Sequence, residues 1–380
     1  MADGFFIKVN DHAPLKTIQG VLKTMLDRDD VRAVLVPSRL PMKETVMPVL
    51  VTDPDDLDRA DPLTPAFPLN SARLLSRLTR GKPAGRIVAV LRPCEIRAFT
   101  ELVKLKQGEK DDVVIIGLDC TGAFTNRDFS KLAAEQGLDD LTSQFLRSAL
   151  NGGEPNFNGV GLAGACKVCE NMTPDGADIV VGLYGLDYEN QLWLEGRTPP
   201  GKEMLEGLAL EGPGDSIGRD GVVTELRAKR IAARDTMFER IREEAGSLGS
   251  LSAYLASCVN CYNCRVACPV CYCRECVFTT NVFDHEPIQY LQWADRKGSV
   301  KMPTDTVFYH LTRLAHMSSA CVGCGQCSNA CPNDVPVMEL FRSVAHRTQA
   351  AFDYQAGRSL DEAPPLSVFK EDEYQDVLTG

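Results

Sequence analysis

The chain has 380 residues, 44% of them hydrophobic, and a formal net charge of −11 from 41 basic and 52 acidic side chains. That length and apolar content suffice for about two domains, and the acidic balance argues against a nucleic-acid partner. No run approaches the ~18 consecutive apolar residues of a spanning helix, so direct membrane insertion is not expected, and Met1 to Asn10 lacks the charged-then-apolar order of a secretory leader.

In chain order, the first part alternates short apolar runs with amphipathic stretches. Val31 to Val36, Val46 to Val51, Arg86 to Leu91 and Val113 to Leu118 read as buried strands. Leu15 to Leu26 and Ser71 to Leu78 read as helices, the second opened by Asn70 or Ser71 as N-cap. The pattern predicts an α/β domain over residues 1–245. Residues 151–165 are rich in glycine and asparagine and predict a loop. Gly159, Gly161 and Gly164 satisfy G-x-G-x-x-G there, but a dinucleotide fingerprint must follow a strand and open a helix; the glycines are read instead as giving the backbone close access to a cluster or flavin. Ile179 to Leu183 and Gln191 to Leu194 resume strand character. The glycine-rich stretch 207–221 predicts a linker, and Glu225 to Glu244 a long charged helix with a solvated face.

The most informative feature follows. Cys258, Cys261, Cys264, Cys268 and Pro269 have the spacing C-x2-C-x2-C-x3-C-P, and Cys321, Cys324, Cys327, Cys331 and Pro332 repeat it. Three thiolates two residues apart fit one tight turn around a cube face, and the fourth points away to serve the neighbouring cube. The spacing predicts two 4Fe-4S clusters, one on Cys258, Cys261, Cys264 and Cys331, the other on Cys321, Cys324, Cys327 and Cys268. Structural zinc uses pairs of C-x2-C rather than triples. Disulfides need an oxidising compartment, whereas this chain is expected in a reducing, anaerobic cytoplasm. The long gap between the two runs holds helical patterns such as Val307 to Met317, which predicts a helical ferredoxin domain over residues 246–350. In that helix Phe308, Leu311 and Leu314 fall on one face, and His310 and His316 read as ordinary helix residues rather than ligands. Residues 351–380 read as an acidic, solvated tail.

Four further cysteines stand in the α/β part. Cys94 and Cys120 follow predicted strands, and Cys166 and Cys169 lie in the glycine loop; cofactors collect at such strand ends, while buried inert thiols are the alternative. Cys271, Cys273 and Cys276 are three thiols without a clear fourth ligand, for which His285 is a candidate; they serve a further cluster or pack beside the others and tune them. No G-x-S-x-G or H-E-x-x-H is present, so hydrolytic chemistry has no residues to stand on.

The segment Met47 to Phe99, with Pro-Leu-Asn-Ser-Ala-Arg-Leu-Leu and Arg-Pro-Cys-Glu-Ile-Arg-Ala, together with Gly117 to Phe124 and Cys166 to Gly182, resembles the β-subunit family of coenzyme F420-reducing hydrogenase and formate dehydrogenase. The C-terminal part is similar to the helical ferredoxin module of formate dehydrogenase β subunits and of the C subunit of heterodisulfide reductase. The resemblance implies FAD and a third 4Fe-4S cluster in the α/β part, with Cys94, Cys120, Cys166 and Cys169 as its ligands. Because ligands in open α/β sheets sit at helix N-termini, Asn70 and Ser71, with Thr64 nearby, are the expected part of the FAD site; the alternative is that the pair only caps a helix.

The expected function is an iron–sulfur flavoprotein subunit. Its flavin would exchange two electrons with a soluble carrier, and its clusters would pass them singly to a partner: the catalytic subunit of a formate dehydrogenase or hydrogenase, or a heterodisulfide-reductase-like subunit. Deazaflavin, NADH and ferredoxin all stay open as that carrier. The rival is a wiring subunit without flavin. It rests on Asp11-His12-Ala13-Pro14-Leu15-Lys16-Thr17, which stands where the family usually has a glycine pair and a hydroxyl residue.

Overall fold

The four apolar runs expected as strands all lie in one eight-stranded sheet. In the computed structural model, which describes residues 4–81, 83–214, 216–273, 275–280, 286–297 and 303–368, the sheet begins with β1 (Gly4–Lys8), β2 (Val31–Arg39), β3 (Val46–Val51), β4 (Arg86–Leu91) and β5 (Val113–Leu118). A separate hairpin of β6 (Asn156–Phe157) and β7 (Val160–Gly161) intervenes, and β8 (Ile179–Gly182), β9 (Gln191–Gly196) and β10 (Glu211–Gly214) complete the sheet. The order is β10-β1-β9-β8-β5-β4-β2-β3. β2, β4, β5 and β8 run parallel, and β3, β9 and β10 are antiparallel to their neighbours.

The parallel strands are covered on both faces, which is why their sequences are continuously apolar; every residue of β5 is buried. Side chains alternate between faces. Val34, Val36, Val88, Val90, Val114 and Ile116 meet Ile18, Leu22 and Met25 of α1 (Pro14–Leu26). Leu35, Ala89, Leu91 and Ile115 meet Leu75 of α2 (Ala72–Leu78) and Ile96 and Phe99 of α3 (Pro93–Lys104). Around the loop with β6 and β7 lie α4 (Asn126–Gln136), α5 (Leu138–Leu150) and α6 (Gly164–Lys167), and α7 (Pro199–Leu205) follows β9. The 29-residue α8 (Ile217–Ala245) leads into a helical region: α9 (Leu248–Tyr254), α10 (Asn263–Ala267), α11 (Pro287–Lys297), α12 (Pro303–Met317), α13 (Gln326–Asn329) and α14 (Val337–Ala351). Tyr309, Leu314, Leu340 and Phe341 belong to the same buried cluster as Leu75 and Phe99. The α/β part and the helical part therefore share one apolar interior.

Four expectations are corrected. Residues 207–221 are not a linker: they contain β10 and the first turn of α8, and a Cβ on Gly214 would lie 2.0 Å from the Phe6 ring, so the glycine serves close strand approach rather than flexibility. The segment after 351 does not begin as a solvated tail. Tyr354 and Ala356 are buried, and the carboxylate of Glu101 on α3 accepts from Tyr354 Oη and Gly357 N at 2.6 Å each; residues 369–380 lie outside the described residues. On α12 the buried side chains among the described residues are Thr306, Val307, Tyr309, His310, Arg313, Leu314 and Met317, while Phe308 and Leu311 are exposed, so a partly polar face turns inward in place of the expected apolar one. Finally, Gly159 occupies an exposed hairpin turn with φ +84° and no neighbour within 4 Å of a Cβ there, so it brings the backbone close to nothing. The close approach falls instead at Gly325, where a Cβ would lie 2.4 Å from that of Ala165.

Candidate metal centres

The α/β cysteines come from four places that the sheet brings together. Cys94 stands in the first turn of α3, immediately beyond β4, where Pro93 occupies a position that needs no N–H. The buried Glu95 fixes that turn: its carboxylate accepts from Arg92 N at 2.9 Å and from Ser71 N at 2.7 Å, joining the starts of α2 and α3. Cys120 follows β5, held by its amide on Met172 O at 2.8 Å and by Tyr184 Oη on its carbonyl at 2.7 Å. The preceding Asp119 takes a two-pronged guanidinium from Arg219 of α8 at 2.8 and 2.6 Å, which pins α8 to the sheet. Cys166 is in α6, and Cys169 donates its amide back to Cys166 O at 3.3 Å.

Cys94 and Cys166 each have both Cys120 and Cys169 among their neighbours. Burial, followed by neighbouring thiols among the causes, pushes Cys94 well up, Cys120 up, and Cys166 up to about 11. Two arginines oppose this. Arg92, anchored on the carbonyls of Thr64 and Ala66 at 2.8 and 2.6 Å, favours the thiolates of Cys120 and Cys166. Arg230 of α8 is buried, has no carboxylate partner among the described residues, and faces Cys120, Cys166 and Cys169.

The helical part places two more groups of four. Cys258 has Cys264, Cys331 and Cys261 as its thiol neighbours. Cys321, Cys324 and Cys327 each have Cys268 among theirs. The fourth cysteine of each run thus lies against the other run's triple. The two loops also repeat one backbone path: two and four residues after the first cysteine, φ is +54° at Asn260 and +61° at Tyr262 in one, and +70° at Gly323 and +80° at Gly325 in the other. Glycine adopts this left-handed conformation freely, whereas tyrosine does so at a cost of about 1–2 kcal/mol. Tyr262 stacks on Tyr309 with ring centroids 4.8 Å apart, a contact that offsets part of it.

The α/β group lies beside the group of Cys321, since the neighbours of Cys94 include Cys324. Cys271 sits by Cys268 and Cys273, and burial pushes it up to about 11; Cys273 is exposed and Cys276 half-buried, and His285 lies outside the described residues.

Do these residues fit iron–sulfur clusters? Of the buried side-chain polar atoms without a partner among the described residues, Asn70 Nδ2, Arg265 Nε, His310 Nδ1 and Arg313 Nε belong to residues that neighbour these cysteines. Such donors are costly unless satisfied, and sulfurs of a cluster accept hydrogen bonds. Among the described residues no three His, Cys, Asp or Glu side chains converge on a single ion, whereas a cube spreads its ligands over four corners. The donor sets fit clusters.

They do not fit FAD where it was expected. Thr64, Asn70 and Ser71 are all buried. Thr64 borders a cavity of only about 20 Å³ at the strand ends. Asn70 Oδ1 caps α2 by accepting from Ala72 N at 3.0 Å, while its amide nitrogen turns to the Cys324 sulfur. Sequence reasoning did not reach Arg92, Arg230, Arg313 and Tyr309, and gave His310 no role; the one local signal was an arginine inside the periodic pattern of α12.

A 4Fe-4S binding domain model matches residues 316–337, which supports an iron–sulfur site in the helical part of the chain. Over nearly its whole length it is similar to one group of subunits. It is 26% identical over 370 residues, 92% of this chain and 93% of that protein, to the F420-dependent formate dehydrogenase subunit beta of Methanocaldococcus jannaschii. It is 27% identical over 393 residues, 95% of this chain and 96% of that protein, to the F420-dependent formate dehydrogenase 1 subunit beta of Methanococcus maripaludis. A chain of the F420-reducing NiFe hydrogenase complex from Methanosarcina barkeri superposes with a TM-score of 0.47 at 15% identity, covering 65% of this chain and 93% of that one. The similarity to formate dehydrogenase β subunits extends across both parts of the chain. No helix among the described residues is long and apolar enough to cross a membrane.

Proposed function

We propose that this chain is the electron-transfer subunit of a formate-dehydrogenase-type oxidoreductase, carrying three 4Fe-4S clusters in a line. The observation that carries the reading is the succession of three cysteine quartets: Cys94, Cys120, Cys166 and Cys169; then Cys321, Cys324, Cys327 and Cys268; then Cys258, Cys261, Cys264 and Cys331. Cys94 beside Cys324 supports a direct hand-off between the first two. The run Cys258 to Cys268, which contributes to both later quartets, supports the second. When bound, the clusters supply one-electron storage. The protein's own residues do the rest: Arg92 and Arg230 oppose the upward push of burial on Cys120, the shared apolar interior excludes water, and Cys261, exposed beside the exposed Val259, supports an exit toward a catalytic partner.

The names of the two relatives make a deazaflavin of the F420 type the preferred two-electron carrier. Conversion to single electrons needs a flavin such as FAD, in this chain or in its partner; the poor fit at Thr64, Asn70 and Ser71 favours the reading without flavin at that site. Anaerobic purification followed by iron and flavin analysis tests both statements. About twelve irons per chain is expected, from three cubes of four. About eight irons would remove the α/β cluster, about sixteen would add one on Cys271, Cys273 and Cys276, and stoichiometric FAD would restore the flavoprotein reading.

A further inference from the structure

Arg313 is a charge with an unusual set of partners. It projects from the inward face of α12 and is 4% exposed. A guanidinium so buried ordinarily lies against a carboxylate, yet among the described residues Arg313 has none. Its Nη1 donates to Cys264 Sγ at 3.1 Å and its Nη2 to Cys264 O at 3.1 Å. Its plane lies over the rings of Phe341 and Tyr309, at 4.6 and 5.7 Å from their centroids, so it is stacked in place rather than free to reach solvent. Its Nε has no partner among the described residues. Its charge also acts on Cys271, which belongs to neither quartet, and its further neighbours include Cys268 and Cys327.

Those sulfurs belong to different quartets. Cys264 is in the group of Cys258, whereas Cys268 and Cys327 are in the group of Cys321. We propose that Arg313 is the common counter-cation of the two ferredoxin-domain clusters, a single buried positive charge that raises the reduction potential of both together. The inference rests on the cluster assignment above. Its physics is elementary: each reduction adds one negative charge to a cube, and a fixed cation nearby in a medium of low polarity favours the reduced form. Because the guanidinium stays protonated throughout the working pH range, its contribution does not depend on pH.

The test is a mediator titration of the full-length, cluster-loaded protein, followed by electron paramagnetic resonance, on wild type, Arg313→Met and Arg313→Lys. In Arg313→Met, at a fixed applied potential, the reduced-to-oxidised ratio of two of the three clusters is expected to fall about tenfold, a downward shift of about 59 mV for a one-electron couple. The third cluster should not move, and Arg313→Lys should recover most of the loss. Full iron content with no shift, or a shift of one cluster alone, overturns the proposal and leaves Arg313 as packing on Phe341. Should Arg313→Met assemble too little iron to titrate, Arg313→Lys decides: retained iron with near-wild-type potentials upholds the charge, and loss equal to that of Met overturns it. Failure of the underlying assignment looks different, because wild type itself would then lack two clusters in the ferredoxin domain.

Discussion

The two cysteine-bearing regions are built in opposite ways. In the α/β region the four cysteines are appended to a sheet whose core is complete without them: Val114, Ile116, Val88 and Val90 pack against α1 far from any thiol. In the helical region the cysteines are themselves core. Cys264 is buried, and Cys258, Cys268, Cys324, Cys327 and Cys331 pack against the apolar cluster, with short helices and left-handed turns between them. The first kind of site needs its fold in order to hold metal; the second is expected to need its metal in order to hold its fold.

The sharpest way to break that contrast is Cys327→Ser. It should remove one cluster and strip hydrogen-exchange protection from residues 248–351, leaving β4 and β5 protected; equal loss in both regions would show that the shared interior makes them one cooperative unit. Cys166→Ala should act in the opposite sense, losing about four irons while the strand core stays folded by circular dichroism and exchange. If it unfolds the sheet, the α/β site is structural after all. A smaller effect is expected at the seam. Glu170 joins Arg342 of α14 and Arg234 of α8; burial pushes its carboxyl up, but the two guanidiniums outweigh this and hold it below the usual carboxylate range. That contribution is present above the ordinary glutamate pKa and is lost as pH falls through the lowered one. Glu170→Gln should therefore lower stability by about 1–3 kcal/mol at pH 7, in denaturant titration, and by less under acid conditions; a pH-independent difference would exclude the charge as its cause. The smallest effect is expected from Asn70→Ala. Loss of its amide near Cys324 should lower one cluster's potential by less than a tenfold change in the reduced-to-oxidised ratio, without changing iron content. An unchanged potential would leave Asn70 as a helix cap alone.

How much of this could be read from residues alone depended on whether the signal was local. β4, β5 and the cysteine runs carry theirs within a few residues, as continuous β-branched runs and as thiol spacing, and the structure places both strands as expected. β1 and β10 do not: β10 is Glu-Gly-Pro-Gly, whose Gly214 leaves the space that Phe6 of β1 fills. The inward face of α12 was hidden for a similar reason. Hydrophobic periodicity selects Phe308 and Leu311, but the interior there is lined by sulfur and aromatic rings that hold Tyr309, His310 and Arg313 better than aliphatic chains. Asn70 stayed open between a flavin and a helix cap because a helix start looks the same from sequence whether it faces a phosphate or a thiol.

The close contact of Gly325 with Ala165 bears on how the two regions are joined. Gln326 and Asn329, just beyond Gly325, donate to Phe67 O at 2.8 and 3.2 Å, and a cavity of about 320 Å³ lined by Cys166, Cys324 and Cys331 borders the same contact. The seam between the regions therefore falls at cysteines of both, so whatever parts the two regions also opens the space between their thiols.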